Sequence, residues 1–292
     1  MSEFASSWLD LREAADARAR DVNLVTSLST ALNRSKEIRL IDLGAGTGSL
    51  CRYLAPTLRA NQTWHLLDYS SSLLEEAEAR FMTWAAQNEL TVKSKAGIWC
   101  ASNGVTEYRI ATEVWDFANG LGSFPTSLSP DVITASAFLD LVSLSWIEQL
   151  VAFCKKLRTS FYGSLTYNGT MEWNPGNPSD SELLRFLNDD QQRDKGMGIA
   201  LGANSSQAIS KSFASSGFLV KTGPSPWCLT PTDSQLQKAL LLQCVKLLEQ
   251  KSNWPRCKIR EWSNFRLAAI VAGQSQLKVG HQDIWAVPAD RV

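Results

Sequence analysis

Three glycines at alternate positions, Gly44, Gly46 and Gly48, stand just beyond an acid, Asp42, in the apolar run 38–43. An apolar run ending in this way reads as a buried strand that feeds a tight turn and then a helix. Lacking a Cβ, such glycines let the backbone take positive φ and let a ligand lie against it. Two nucleotide chemistries fit poorly. The dinucleotide pattern G-x-G-x-x-G meets Ser49 at its third glycine, and no lysine follows the turn as a phosphate loop requires.

The pattern of a strand closed by a polar residue recurs. Asp68 closes the run 64–67 and precedes Tyr69, and Asp116 and Phe117 follow a strand read at about 107–114. Ser136, Ala137 and Phe138 end a fourth run that begins at Asp131. Taken singly, each acid is most simply a solvated strand end or helix cap. Matching residues at the ends of consecutive strands point to a site, because ligands of open α/β sheets bind outside the carboxyl ends of the strands.

The elements that would position these residues alternate. Trp8, Leu11, Ala15, Ala19, Val22 and Val25 recur at near-helical spacing, so residues 7–32 read as one or two amphipathic helices. Strands at about 38–43, 64–68, 107–117, 131–136 and 160–167 are separated by helices at about 48–58, 70–88 and from 137 through Cys154. Residues 91–104 resist assignment. This alternation predicts a doubly wound, mostly parallel sheet with right-handed crossovers. Residues 168–204 are polar and rich in Gly, Asn and Pro, with one helix near 180–188, and so long a connection predicts a functional insertion. A helix at 205–216, a strand from Phe218 continuing towards Leu229, helices at 233–249 and 264–272 and a final strand at 283–287 complete the chain. The expected division is an N-terminal helical cap segment (1–35), a cofactor-binding Rossmann-like core (36–167), a lid insertion (168–204) and a C-terminal completion of the sheet with further cap helices (205–292).

The D-x-G-x-G-x-G segment from Asp42 to Gly48 resembles motif I of the class I S-adenosylmethionine-dependent methyltransferases, and residues 36–167 follow that family's order of elements. The resemblance implies an α/β, doubly wound, seven-stranded, mostly parallel sheet with an antiparallel last strand and a helical cap. It implies S-adenosyl-L-methionine as cofactor. It assigns Asp42, Gly44, Ala45, Gly46 and Gly48 to the methionine portion and Asp68 to both ribose hydroxyls. Asp116 would accept from the adenine amino group, with Tyr69 and Phe117 flanking the ring. Ser136, Ala137 and Phe138 would line the methionine and the sulfonium.

Methyl transfer is an in-line displacement at an activated carbon. A protein therefore supplies alignment and water exclusion, and a base only where the acceptor must lose a proton. Three candidates stand out: His281 just before the final strand, Tyr167 at the end of the fifth, and Asp140 after the fourth. Each also reads as a packing or capping residue, and His65, midway along a strand, reads as structural. Trp8, Trp173 and Trp227 are the expected walls of a substrate pocket. The charge-dense segment 189–196 reads as a solvated loop unless the lid folds it inward.

Composition narrows the partners. The chain carries 29 basic and 29 acidic side chains with no basic stripe, which argues against a nucleic-acid substrate. No apolar run reaches membrane-spanning length, and the first residues lack a signal-peptide core. The 6 cysteines form no C-x-x-C pair and no zinc spacing, so a cytoplasmic protein without a metal is expected. The expected activity is methylation of a small aromatic or apolar metabolite, a product of secondary metabolism for example, on nitrogen in preference to oxygen. O-methylation with His281 or Asp140 as base, an NAD-dependent oxidoreductase, and a cofactor-binding scaffold without an acceptor are the alternatives.

Overall fold

The run 37–43 forms a strand that is buried on both faces from Leu40 onward, which puts it in the middle of a sheet covered on both sides. Ile38 and Leu40 enter one core with Leu28, Leu54 and Trp64, while Ile41 and Leu43 enter another with Phe117, Ile147 and Phe161. Full burial of each such aliphatic chain contributes about 1.5–3 kcal/mol. In the computed structural model, residues 5–33, 35–95, 98–121, 124 and 129–291 are described; residues 1–4 and 34 of the expected N-terminal segment lie outside them.

The elements begin with helices α1 (Ser6–Ala19) and α2 (Val22–Leu32), strand β1 (Glu37–Leu43), helix α3 (Ser49–Leu54), strand β2 (Asn61–Asp68) and helix α4 (Ser71–Gln87). Strands β3 (Thr91–Lys95), β4 (Ile98–Ser102), β5 (Glu107–Val114) and β6 (Val132–Ser136) lead to helix α5 (Leu144–Leu157), strand β7 (Ser160–Asn174) and helix α6 (Asp180–Gln191). Helix α7 (Ser205–Ser215), strands β8 (Phe218–Pro224) and β9 (Trp227–Leu229), helices α8 (Ser234–Lys251) and α9 (Arg256–Val271) and strand β10 (Gln276–Pro288) follow.

One sheet holds all ten strands described. Its centre is β5-β2-β1-β6-β7, all parallel. β10 then pairs antiparallel with β7, and β8 antiparallel with β10. These are the seven strands expected, with the last one reversed. Three more are additions. β3 and β4 form an antiparallel hairpin against the β5 edge, in the stretch that resisted assignment. β9 is a separate strand on the beginning of β10 rather than a continuation of β8, since Pro224 and Pro226 flank the break.

Three readings need correction. The final strand begins at Gln276 and not at 283, so His281 lies within β10 and not before it. β7 runs on past residue 167 to Asn174, so the expected lid begins as a strand. In residues 168–174 exposed Asn168, Thr170, Glu172 and Asn174 alternate with more buried Gly169, Met171 and Trp173, the period of a sheet with one wet face. Leu11 and Val22, expected on the buried face of the first helices, are exposed, because the chain turns at Arg20 and Asp21 and the inner face of α1 is partly polar.

The extended parts of β7 and β10 carry a third core above the sheet. Ala15 of α1, Leu183 of α6, Leu241 of α8, Trp262 of α9, Trp173 and Trp227 pack there. Buried Arg266 of α9 donates to the Asp180 carboxylate and the Pro175 carbonyl, and Trp262 Nε1 donates to Asp180 at 2.9 Å. These bonds fix the start of α6 against α9. Among the described residues no helix is long and apolar enough to cross a membrane.

Candidate functional site

The carboxyl ends of β1, β2 and β6 open into a cavity of about 530 Å³, a size ordinary for a small-molecule site. Its floor is the glycine turn. Gly44 and Gly46 have φ of +66° and +54°, and a Cβ on Gly44 would come within 2.9 Å of Phe138 Cδ2. The turn is therefore closed to side chains on two grounds, backbone conformation and space. At the end of β6, Ala137 is also held at positive φ, 52°, with its N–H donating to the Ser164 carbonyl at 2.9 Å. Strain of this kind in a non-glycine residue costs about 1–3 kcal/mol and gathers at functional sites.

Two acids face the turn in different ways. Asp68 accepts from the Gly46 N–H at 2.7 Å and from the Ser70 N–H at 2.9 Å, so it shapes the loop while lining the cavity. Each carboxylate oxygen carries two lone pairs, which leaves capacity for a ligand hydroxyl. Asp42 is buried. Its Oδ1 accepts from Thr134 Oγ1 at 2.8 Å, whereas Oδ2 has no hydrogen-bond partner among the described residues. Burial pushes its carboxyl up to about 7, against the opposing pull of the Thr134 hydrogen bond and the nearby Arg20. A buried, half-satisfied carboxylate facing a cavity is costly unless a cation or donor completes it.

Of the expected ligand contacts, Asp42, Gly44, Ala45, Gly46, Asp68, Tyr69, Phe117, Ser136, Ala137 and Phe138 line this one cavity. Gly48 instead forms the left-handed cap of α3, packed against Leu66. Asp116 lies outside the wall and caps the short turn 117–119, accepting from the Ala118 N–H at 3.0 Å.

The three base candidates stand behind the wall. Tyr167 donates to Asn188 Oδ1 at 2.9 Å, and burial, with Asp140 nearby, pushes its phenol up. Asp140 is buried in the turn 139–141, and burial raises its carboxyl although Lys195 and Arg12 pull it down; the adjacent Leu141 reaches the cavity instead. His281 is opposite Tyr167 in the β7–β10 register, its ring 6.3 Å from Tyr167 and 5.1 Å from Trp227. Its Nδ1 has no partner among the described residues, and burial, with Arg12 adding to the effect, holds the imidazole down at about 4. His281 is thus neutral at ordinary pH. The unfolded chain takes up a proton there below about 6.5, so stability should fall as pH falls from 6.5 through 4. Between pH 7 and 5 the protein should lose about 2 kcal/mol more than His281→Phe in chemical denaturation. Equal losses would mean that the imidazole is charged in the folded state.

The tryptophans expected in the wall lie one layer deeper. Trp8 and Trp227 meet edge to face at 6.5 Å, and Trp173 packs under Arg266 at 5.1 Å, all in the cap core. What replaces them in the wall is charge. Arg12 lies over the Trp227 ring at 5.0 Å and grips Asp16, with Nε–Oδ2 at 2.9 Å; Asp16 Oδ1 also accepts from Trp227 Nε1 at 2.9 Å. Leu9, Arg12 and Asp16 share one helical face, and that spacing, with the i,i+4 ion pair, was the signal available in the sequence. The segment 189–196 reaches the cavity at Asp190, Lys195 and Gly196, joined by Lys251 from the end of α8, while Asp189, Gln192, Arg193 and Asp194 stay exposed. Helix α1 is held over the turn by Glu13, which takes Arg52 at 2.7 and 2.8 Å, while Arg52 also donates to the Thr47 carbonyl.

No protein-family model matches the chain, and no curated protein matches it. Solved structures align with it loosely. An S-adenosylmethionine-dependent methyltransferase from Geobacter sulfurreducens, in complex with S-adenosyl-L-homocysteine, is 14% identical over 99% of this chain and 100% of that one, with a TM-score of 0.46. The YcgJ protein from Bacillus subtilis is 16% identical over 91% and 99%, with a TM-score of 0.46. The cyclopropane synthase MmaA2 from Mycobacterium tuberculosis is 10% identical over 90% and 83%, with a TM-score of 0.43. At these scores the likeness is too loose to carry chemistry across, and the cavity itself has to supply it.

Proposed function

We propose that the chain binds S-adenosylmethionine on the glycine turn and transfers its methyl group to a small molecule held under the cap. The observation that carries this reading is the pairing of a buried carboxylate oxygen on Asp42, without a hydrogen-bond partner among the described residues, with a glycine turn whose residues line the same cavity. A cationic ligand completes Asp42, whereas the pyrophosphate of a dinucleotide would be repelled by it. Bound here, the cofactor supplies a methyl carbon activated by a positively charged sulfur.

The chain's own residues hold and align. Gly44, Ala45 and Gly46 would support the methionine portion, Asp68 the ribose hydroxyls, and Tyr69 and Phe117 the base. Ser136, Ala137 and Phe138 would set the direction in which the methyl group leaves. Leu9, Leu141 and Phe138 exclude water from the path, and alignment of this kind can remove several kcal/mol from a barrier. Nitrogen is the preferred acceptor atom. None of His281, Tyr167 and Asp140 lies in the described wall; Asp16 is committed to Arg12 and Trp227, Asp190 to Lys251, and Asp42 and Asp68 to the cofactor in this reading. A neutral nitrogen reacts by alignment alone, while an oxygen acceptor would need a base.

Calorimetry with S-adenosylhomocysteine and with NAD separates this reading from an oxidoreductase: binding of the first and not the second is expected, and no affinity for the first would sink it. Asp68→Ala strips the acceptor from the Gly46 and Ser70 N–H groups as well as from the ribose. It should weaken S-adenosylhomocysteine binding by about 10- to 100-fold, the equivalent of about 1–3 kcal/mol. A change below about twofold would remove Asp68 from the cofactor site.

A further inference from the structure

The cap side of the cavity carries more positive charge than its carboxylates can use. Three cations reach this wall: Arg12, Lys195 and Lys251. Asp16 is taken by Arg12 and by Trp227 Nε1. Asp190 is taken by Lys251 at 2.9 Å and by Arg193 at 3.1 Å. Lys195 is left with a neutral partner, its Nζ donating to Gln191 Oε1 at 2.8 Å, and no described carboxylate lies within pairing distance. Its side chain is half-buried, and burial lowers the ammonium's affinity for its proton while Asp140 and Asp190 hold the charge in place.

A half-buried ammonium with no described carboxylate at pairing distance gains when an anion enters and pairs with it directly. Arg12 strengthens the site. Its Nε and one Nη serve Asp16, and its other Nη makes no hydrogen bond among the described residues. We infer that Lys195, supported by Arg12 and Lys251, receives an anionic group of the methyl acceptor, so that the acceptors are small organic anions, a narrower class than the aromatic or apolar metabolites expected from the sequence. This rests on the reading of the cavity as a chamber for cofactor and acceptor together. The apolar neighbours Leu9 and Leu141 would cover the rest of the molecule, and Lys195 would fix which atom faces the methyl group. The cofactor's own carboxylate is the other anion of this chemistry, and competition with S-adenosylhomocysteine distinguishes the two sources.

The probes are benzoate and its neutral isostere benzamide, titrated into protein saturated with S-adenosylhomocysteine. The lysine Nζ resonances are followed by NMR, with Lys195→Gln assigning the signal. Benzoate is expected to shift the Lys195 signal saturably and to bind at least tenfold more tightly than benzamide. In Lys195→Gln that preference should fall below threefold while affinity for S-adenosylhomocysteine stays within twofold of the parent. Equal binding of the two probes, no binding of either, or competition between benzoate and S-adenosylhomocysteine would overturn the assignment. A protein that fails to bind S-adenosylhomocysteine would refute the cofactor reading instead, and the benzoate preference would still be measured in the unloaded protein.

Discussion

S-Adenosylmethionine should bind this protein about 25-fold more tightly at pH 7.5 than at pH 5.5. The cause is Asp42, whose carboxyl burial holds up at about 7 in the free protein. At pH 5.5 the free protein carries a proton there. A cation seated against Oδ2 favours the carboxylate, so the proton must leave on binding. Binding that releases a proton strengthens as pH rises, by about tenfold per unit below 7, and levels off above it. The window ends at 7.5 because an α-amino group begins to lose its own proton at about 7.7–8.0. Calorimetry in two buffers of different ionisation enthalpy reports the proton directly. In Asp42→Asn the dependence should shrink to within about threefold, with affinity near that of the parent at pH 5.5 and lost mainly at pH 7.5. A flat profile in the parent, or the same slope in the variant, would show that Asp42 does not face the cofactor's charge.

The parts of the site that could be read from the chain are those fixed by local constraints. Gly44 and Gly46 announce themselves because few other residues take their backbone conformation, and Asp68 because an acid closing an apolar run must sit at a strand end. The sheet was legible for the same reason: five buried runs separated by helices permit few topologies. The outer half of β7 was hidden because one wet face makes a strand look like a polar loop, and because its partner, the first half of β10, lies about a hundred residues away.

The cap wall was illegible for a different reason. Arg12, Lys195 and Lys251 come from three distant stretches, and nothing local says that they share a surface. The segment 189–196 shows the difficulty most plainly. Its composition is that of a solvated loop, and what brings Asp190 and Lys195 to the cavity is the anchoring of α6 through Asp180 to Arg266 and Trp262. His281, expected just before the final strand, lies inside β10, and its chemistry depends on Trp227 and Tyr167 closing over it, contacts that spacing cannot reveal.

Asp283→Ala should cost about 3–5 kcal/mol of folding stability, because it orphans two buried donors and a part-buried one at once. The carboxylate is fully buried in β10. It accepts from Tyr162 Oη at 3.0 Å, from the Leu165 N–H at 2.8 Å and from the Asp21 N–H at 2.9 Å. Two of the bonds reach β7, at Tyr162 and at Leu165, which is held at a φ of 54°, and the third reaches Asp21, the N-cap of α2. Asp283 therefore docks the α1–α2 junction onto the sheet, and α1 is a wall of the cavity. Asp283→Asn should rescue little, since its NH₂ would point at N–H groups that need an acceptor. Tyr162→Phe, which removes a donor and leaves the carboxylate two others, should cost only about 1 kcal/mol. Urea denaturation of the three variants checks the ordering. The docking role has a second consequence: at a temperature where Asp283→Ala is still folded, its affinity for S-adenosylhomocysteine should fall severalfold as α1 loosens over Gly46, while Tyr162→Phe binds as the parent does. A loss of stability below about 1 kcal/mol, or an Asp283→Ala protein of reduced stability and unchanged affinity, would separate the buried network from the positioning of α1.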